Sequence, residues 1–255
     1  MFDGKKLWNQ RLGKTAKEMG KYLPYIFNGH LVIVFLFLIG TVAYYYQAWV
    51  KQLPSDFPAA AVMALFLSFI VTYSPIYTLL VNADKIFLLP LETKLKEYFR
   101  RSIGLSFFMQ IYGLLIGLLI FMPMYSHVYK GNGQSFLSLF FILLLLKLIN
   151  IFIRWQVQYY GSENVLRADS IVRFFMNIVF LYILFSGGSF LFLAIVAVLH
   201  ILLFAYYVSQ TKEKGLKWEY LIQTEERRMM SFYRFANMFT DVPKLKGKIK
   251  RRKWL

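Results

Sequence analysis

The sequence predicts an all-α polytopic membrane protein, and three observations carry that reading. Of 255 residues, 58% are apolar, 19% aromatic and only 17% charged, more apolar surface than a water-soluble domain can hide. The apolar residues gather into six runs, most of them near the ~20 residues that cross ~30 Å of hydrocarbon. The Lys and Arg behind a formal net charge of +17 fall in blocks between and beyond those runs, as cytoplasmic charges do in an oriented membrane protein. That placement sets nucleic acid aside as a partner, because a nucleic-acid footprint would gather its basic residues on one folded face.

Residues 1–27 come first. They hold six basic residues, and Trp8, Leu12, Met19, Tyr22, Leu23 and Ile26 recur at roughly helical spacing. The pattern describes an amphipathic helix lying in the membrane interface. It is no signal peptide, since the segment is polar and basic throughout and no small-residue cleavage site follows a short apolar core.

A transmembrane domain over residues 28–210 follows, with spans expected at 30–49, 58–81, 102–124, 135–153, 171–185 and 190–208. The fifth is short, and Ser186-Gly187-Gly188-Ser189 separates it from the sixth by a tight turn, so the pair reads either as two spans or as a partial hairpin. Lys and Arg number six before the first span and five in the 82–101 loop. Arg154, Arg167 and Arg173 mark the connection between the fourth and fifth spans, and thirteen more follow the last one. The opposite loops carry one each, Lys51 and Lys130, so both termini are expected on the cytoplasmic side. Aromatic clusters such as Tyr44-Tyr45-Tyr46 and Tyr159-Tyr160 mark the interfaces. Pro75, late in the second span, removes a backbone hydrogen bond and is expected to kink that helix as a hinge.

The 82–101 loop stands apart from an ordinary connector. It is charged, yet it carries an apolar kernel, Ile86-Phe87-Leu88-Leu89-Pro90-Leu91, with Asp84 placed as a helix N-cap and Glu92 beyond Pro90. An apolar face there needs lipid or a protein partner to bury it. The candidate docking residues are Asp84, Phe87, Leu88, Leu89, Pro90, Leu91 and Glu92.

Residues 211–255 begin as a helix striped by Met229, Phe232, Phe235 and Phe239. Seven basic residues then crowd positions 244–253, a cluster that an anionic leaflet would hold at ~1 kcal/mol per charge. Such clusters usually precede another span, so the sequence reads as the front part of a longer chain.

Several chemistries lack their residues. No G-x-x-x-x-G-K-[ST] is present to cradle ATP phosphates, and no H-E-x-x-H to hold zinc. There is no cysteine. His30, His127 and His200 are scattered, and the reading expects no metal, no cofactor and no catalytic residue in this chain. No carboxylate falls in the middle of an expected span, which argues against ion-coupled carriage. Inside the spans, Lys147 and Asn150 share a face with Arg154, and His200 lies in mid-span. They are candidates for a transport path. The plainer alternatives are that Lys147 snorkels to the interface and that His200 bonds a neighbouring helix.

Four strings carry a resemblance: Phe2-Asp3-Gly4-Lys5-Lys6-Leu7-Trp8, Tyr25-Ile26-Phe27-Asn28-Gly29-His30-Leu31, Leu53-Pro54-Ser55-Asp56-Phe57-Pro58-Ala59-Ala60, and Tyr73-Ser74-Pro75 running into Ala83-Asp84-Lys85-Ile86-Phe87-Leu88-Leu89-Pro90-Leu91-Glu92. On these the chain resembles the N-terminal part of the EcsB family, membrane subunits of bacterial Ecs ABC transporters, also described as pheromone-peptide transporter permeases. The resemblance implies a multi-pass protein of the bacterial cell membrane and a separate ATPase subunit that binds ATP and magnesium. It also implies peptide export with effects on protein secretion and intramembrane proteolysis. The kernel would sit in a groove of the ATPase, and a second copy of the permease is a further candidate partner. The competing reading is a membrane scaffold that holds a protease or secretion factor and transports nothing.

Overall fold

The computed structural model describes residues 3–130 and 133–243; the basic cluster at 244–253 lies outside them. All regular structure among the described residues is helical. Among the described residues, five helical stretches are long and apolar enough to cross a membrane: Gly29–Lys51, Leu89–Val128, Phe136–Val157, Glu163–Phe185 and Phe190–Thr211. The fifth and sixth expected spans both form helices of spanning length.

The second expected span is corrected. Its helix, α4, covers Ala59–Thr72, 14 residues, which at 1.5 Å per residue is about 21 Å and too short to cross alone. Residues 73–81 run on without regular structure. Pro75 explains the stop: it has no N–H, its ring collides with the carbonyl four residues back, and it drives Ser74 out of the helical region. Pro75 therefore does not kink a continuous helix; it lies beyond the end of one. The fifth span is corrected too. Its helix α8 begins at Glu163, not 171, so Asp169 lies inside it, buried together with Arg173.

The chain divides into two compact units. One comprises Ala43–Tyr77 and Phe99–Lys217. Here α4 packs chiefly on α8 (Glu163–Phe185), while α7 (Phe136–Val157) and α8 both pack on α9 (Phe190–Thr211). Met63, Leu67, Leu114, Leu118, Leu139, Leu143, Leu181 and Phe185 form its core. Lipid supplies no hydrophobic drive between helices, so small residues that permit close approach do much of the holding. Ala59, Ala60 and Ala64 of α4 are buried. A Cβ at Gly117 of α6 (Lys96–Val128) would stand 2.7 Å from a methyl of Ile70.

The other unit comprises Met1–Val42, Thr78–Tyr98 and Trp218–Leu255. Helix α1 (Gly4–Gly20) is capped by Asp3, whose carboxylate accepts from the amides of Lys5 at 2.9 Å and Lys6 at 3.1 Å. A short α2 (Leu23–Ile26) follows. The apolar stripe of residues 1–27, expected to lie on lipid, largely faces protein instead. Trp8 is buried, and Tyr22 and Ile26 pack on Tyr233, Ala236 and Val242 around α10 (Trp218–Ala236). Helix α3 (Gly29–Lys51) runs on into the first unit, where Val50 is buried and Tyr46 packs beside it and donates to Ile120 O at 2.7 Å.

Candidate functional site

The 84–95 turn comes first. A four-residue helix α5 (Asp84–Phe87) leads into a 3₁₀ turn over Leu89–Leu95. Its kernel splits by exposure. Ile86 and Phe87 are 74% and 70% exposed, Leu89 is exposed and Leu91 half-buried, while Leu88 is buried. Leu88 therefore belongs to the protein's interior and is withdrawn as a docking anchor. Pro90 is exposed, and Glu92 accepts from the indole N–H of Trp218 at 2.8 Å.

Asp84 is not the N-cap that the sequence suggested. It opens the helix, is buried, and accepts from Val81 N at 2.8 Å. Both guanidinium Nη atoms of Arg11, from α1, grip its carboxylate. The same guanidinium reaches Leu79 O and Tyr98 Oη, each at 3.3 Å. Tyr98 Oη in turn donates to Thr78 O at 2.7 Å. Burial alone would lower the pKa of Arg11, but the hydrogen bond to Asp84, the charge and hydrogen bond of Tyr98 and the charge of Asp84 together outweigh it and hold the guanidinium above its ordinary value. From α10, Glu225 Oε1 accepts from Thr78 N, from Thr78 Oγ1 at 2.9 Å and from Leu79 N at 3.0 Å. Arg228 neutralises Glu225 at 3.0 Å. Lys85–Glu219 and Asn82–Glu226 add outer links to α10.

The second constellation lies in the helical bundle, where the break after Thr72 exposes backbone. In hydrocarbon such groups need partners within the protein, and the carbonyls of residues 69–73 all have one. Phe69 O accepts from Tyr73 N at 2.9 Å. Lys147 Nζ donates to Ile70 O at 2.8 Å, Val71 O at 3.2 Å and Tyr73 O at 2.6 Å. Arg173 Nη1 donates to Thr72 O at 3.2 Å. Beyond it, Pro75 O accepts from Gln110 Nε2 at 2.9 Å and Tyr77 N donates to Ser106 Oγ at 2.8 Å. Two cations at a helix C-terminus also meet the negative end of its dipole. Lys147 is 1% exposed, so the snorkelling expectation is overturned. The carbonyls offer the ammonium more than the interface could.

Asp169 Oδ2 balances Arg173, accepting from its Nε at 2.9 Å and Nη2 at 2.7 Å. Asn150 Oδ1 accepts from Arg173 Nη1 at 3.0 Å and Asn177 Nδ2 at 3.1 Å, and Asn177 Nδ2 also donates to Thr72 Oγ1 at 2.8 Å. His200 joins through Nε2, 3.0 Å from Asn177 Oδ1, as a hydrogen bond between neighbouring helices. Thus Asn150 and His200 join one network through Asn177, while Lys147 holds the carbonyls on either side of Thr72. Sequence reading missed Asp169, Arg173 and Asn177. Their i, i+4, i+8 spacing on one helix face is a signal, but a span expected from 171 leaves Asp169 outside it and the charge count assigns Arg173 to the connection.

The family model for "Bacterial ABC transporter protein EcsB" matches residues 5–255. The chain belongs to the EcsB family. It is 38% identical over 250 residues to Protein EcsB of Bacillus subtilis (strain 168), covering 98% of this chain and 61% of that protein. The chain thus spans about three-fifths of the length of that EcsB relative. No solved structure matches it. The family is described as a bacterial ABC transporter protein, and the described helices are those of a polytopic membrane protein.

Proposed function

We propose that this chain is the membrane-spanning part of an ATP-driven exporter of short hydrophobic peptides in the bacterial cell membrane. In this reading a separate ATPase subunit, which binds ATP and magnesium, docks on the 84–95 turn from the cytoplasm. The observation that carries the docking is the exposure of Ile86 and Phe87 on a turn otherwise fixed by buried polar contacts. Two large apolar side chains held out beside Lys85 and Lys94 suit an apolar pocket with an acidic rim. ATP-driven movement of the turn would pass along 73–83 to the broken helix α4 and rock the bundle.

Interface anchors of this kind cost ~1–3 kcal/mol each when truncated. Copurification from detergent checks the assignment: Ile86→Asp/Phe87→Asp should insert and express normally yet lose the ATPase. Undiminished copurification removes the turn as the contact and leaves α1 or α10. A scaffold that transports nothing remains the second reading, favoured by how firmly α1 and α10 are tied to the turn. Stimulation of ATPase activity by hydrophobic peptides separates the two, since a scaffold gives none.

Sidedness is checked in the same cysteine-free background. Leu95 is fully buried and a poor probe, whereas Lys51 and Lys94 are exposed. An impermeant maleimide added outside should label Lys51→Cys and spare Lys94→Cys; the opposite pattern inverts the orientation.

A further inference from the structure

We propose that Arg11 of the N-terminal helix is a positioning residue that sets the 84–95 turn for its partner. The proposal rests on the docking reading above and goes beyond it, by giving α1 a role in presenting Ile86 and Phe87.

One guanidinium meets four acceptors on the turn and its flanks. Both Nη atoms engage Asp84, and Nη1 also reaches Leu79 O and Tyr98 Oη. These contacts converge on a strained backbone. Leu79 has φ +55°, in the left-handed region that a branched apolar residue rarely occupies. Such a residue persists only where its surroundings over-determine it. Here Glu225 holds the Leu79 N–H and Arg11 holds its carbonyl. Downstream, Asp84 closes the turn on Val81 N, and its own O accepts from Leu88 N at 3.0 Å. Leu88 is thereby drawn inward while Ile86 and Phe87 point out.

Without Arg11, Leu79 relaxes toward an ordinary conformation, Asp84 loses its counter-charge, and the outward pair loses its fixed direction. A Lys at position 11 is not equivalent, because a single ammonium cannot reproduce a fork that spans Asp84, Leu79 O and Tyr98 Oη together.

The test uses the full-length chain with its ATPase, in Arg11→Ala and Arg11→Lys. Hydrogen exchange at the amides of 81–88 reads the turn, and ATPase retention in detergent reads docking. Amides of α7 and α8 serve as the folding control. Losing charge-assisted bonds of this kind should speed exchange in the turn by about tenfold to a hundredfold and weaken retention to match. Both variants should do so with α7 and α8 unchanged. Leu79→Asn, whose side chain tolerates the left-handed region, should recover part of both losses in the Arg11→Lys background. Unchanged exchange at 81–88 overturns the proposal. So does full ATPase retention by Arg11→Ala, provided Ile86→Asp/Phe87→Asp releases the ATPase. If that double variant keeps the ATPase, the docking reading fails instead, and the exchange result still decides whether Arg11 holds the turn.

Discussion

Asp169→Leu is expected to destabilise the protein by roughly 3–5 kcal/mol, because it strands the charge of Arg173 in the bundle. Arg173 is 1% exposed and its guanidinium spends Nε and Nη2 on Asp169 Oδ2. Without the carboxylate those donors face apolar helix. Arg173→Met should cost a similar amount for the mirror reason. Asp169 would keep only Arg154, at 3.9 Å, and Thr72 O would lose its cap. The double variant Asp169→Leu/Arg173→Met should fall short of the sum of the singles by about 2 kcal/mol, since removing both charges leaves neither stranded. Equilibrium unfolding in detergent measures all three. Additive losses would mean that the pair acts separately and that the network is not a unit.

Much of the fold was legible because hydropathy over some twenty residues needs only composition. The spans at 30–49, 135–153 and 190–208 correspond to α3, α7 and α9. Composition fails where an apolar stretch is not helical. Residues 73–81 read as more span because Ile76, Leu79, Leu80 and Val81 are apolar, although Pro75 had already fixed where α4 must end. It fails again where a helix carries charge into the bundle, as α8 does at Asp169 and Arg173. In the 84–95 turn no period existed to separate Leu88 from Phe87, since four helical residues are too few to define a face. The grip of Arg11 on Asp84 joins residues 73 positions apart. A single sequence gives no spacing from which to infer such a pair.

Lys147→Leu tests how a broken helix survives among other helices. If the ammonium merely reached for the interface, leucine would pack in its place and stability would hold. The structure predicts otherwise. Three carbonyls, of Ile70, Val71 and Tyr73, take hydrogen bonds from Lys147 Nζ. Val71 O has a second donor in Ser74 Oγ at 3.0 Å, so the substitution chiefly orphans the other two. At ~1–3 kcal/mol for each buried group left unpaired, the loss should be roughly 3 kcal/mol. Its location should be diagnostic as well. Exchange should rise first at the amides of Tyr73 and Tyr77, which bond Phe69 O and Ser106 Oγ, before α7 itself loosens. Stability within about 0.5 kcal/mol of the parent chain, a level typical of neutral surface changes, would show that these carbonyls find other donors. It would also show that Lys147 does not hold the break in α4.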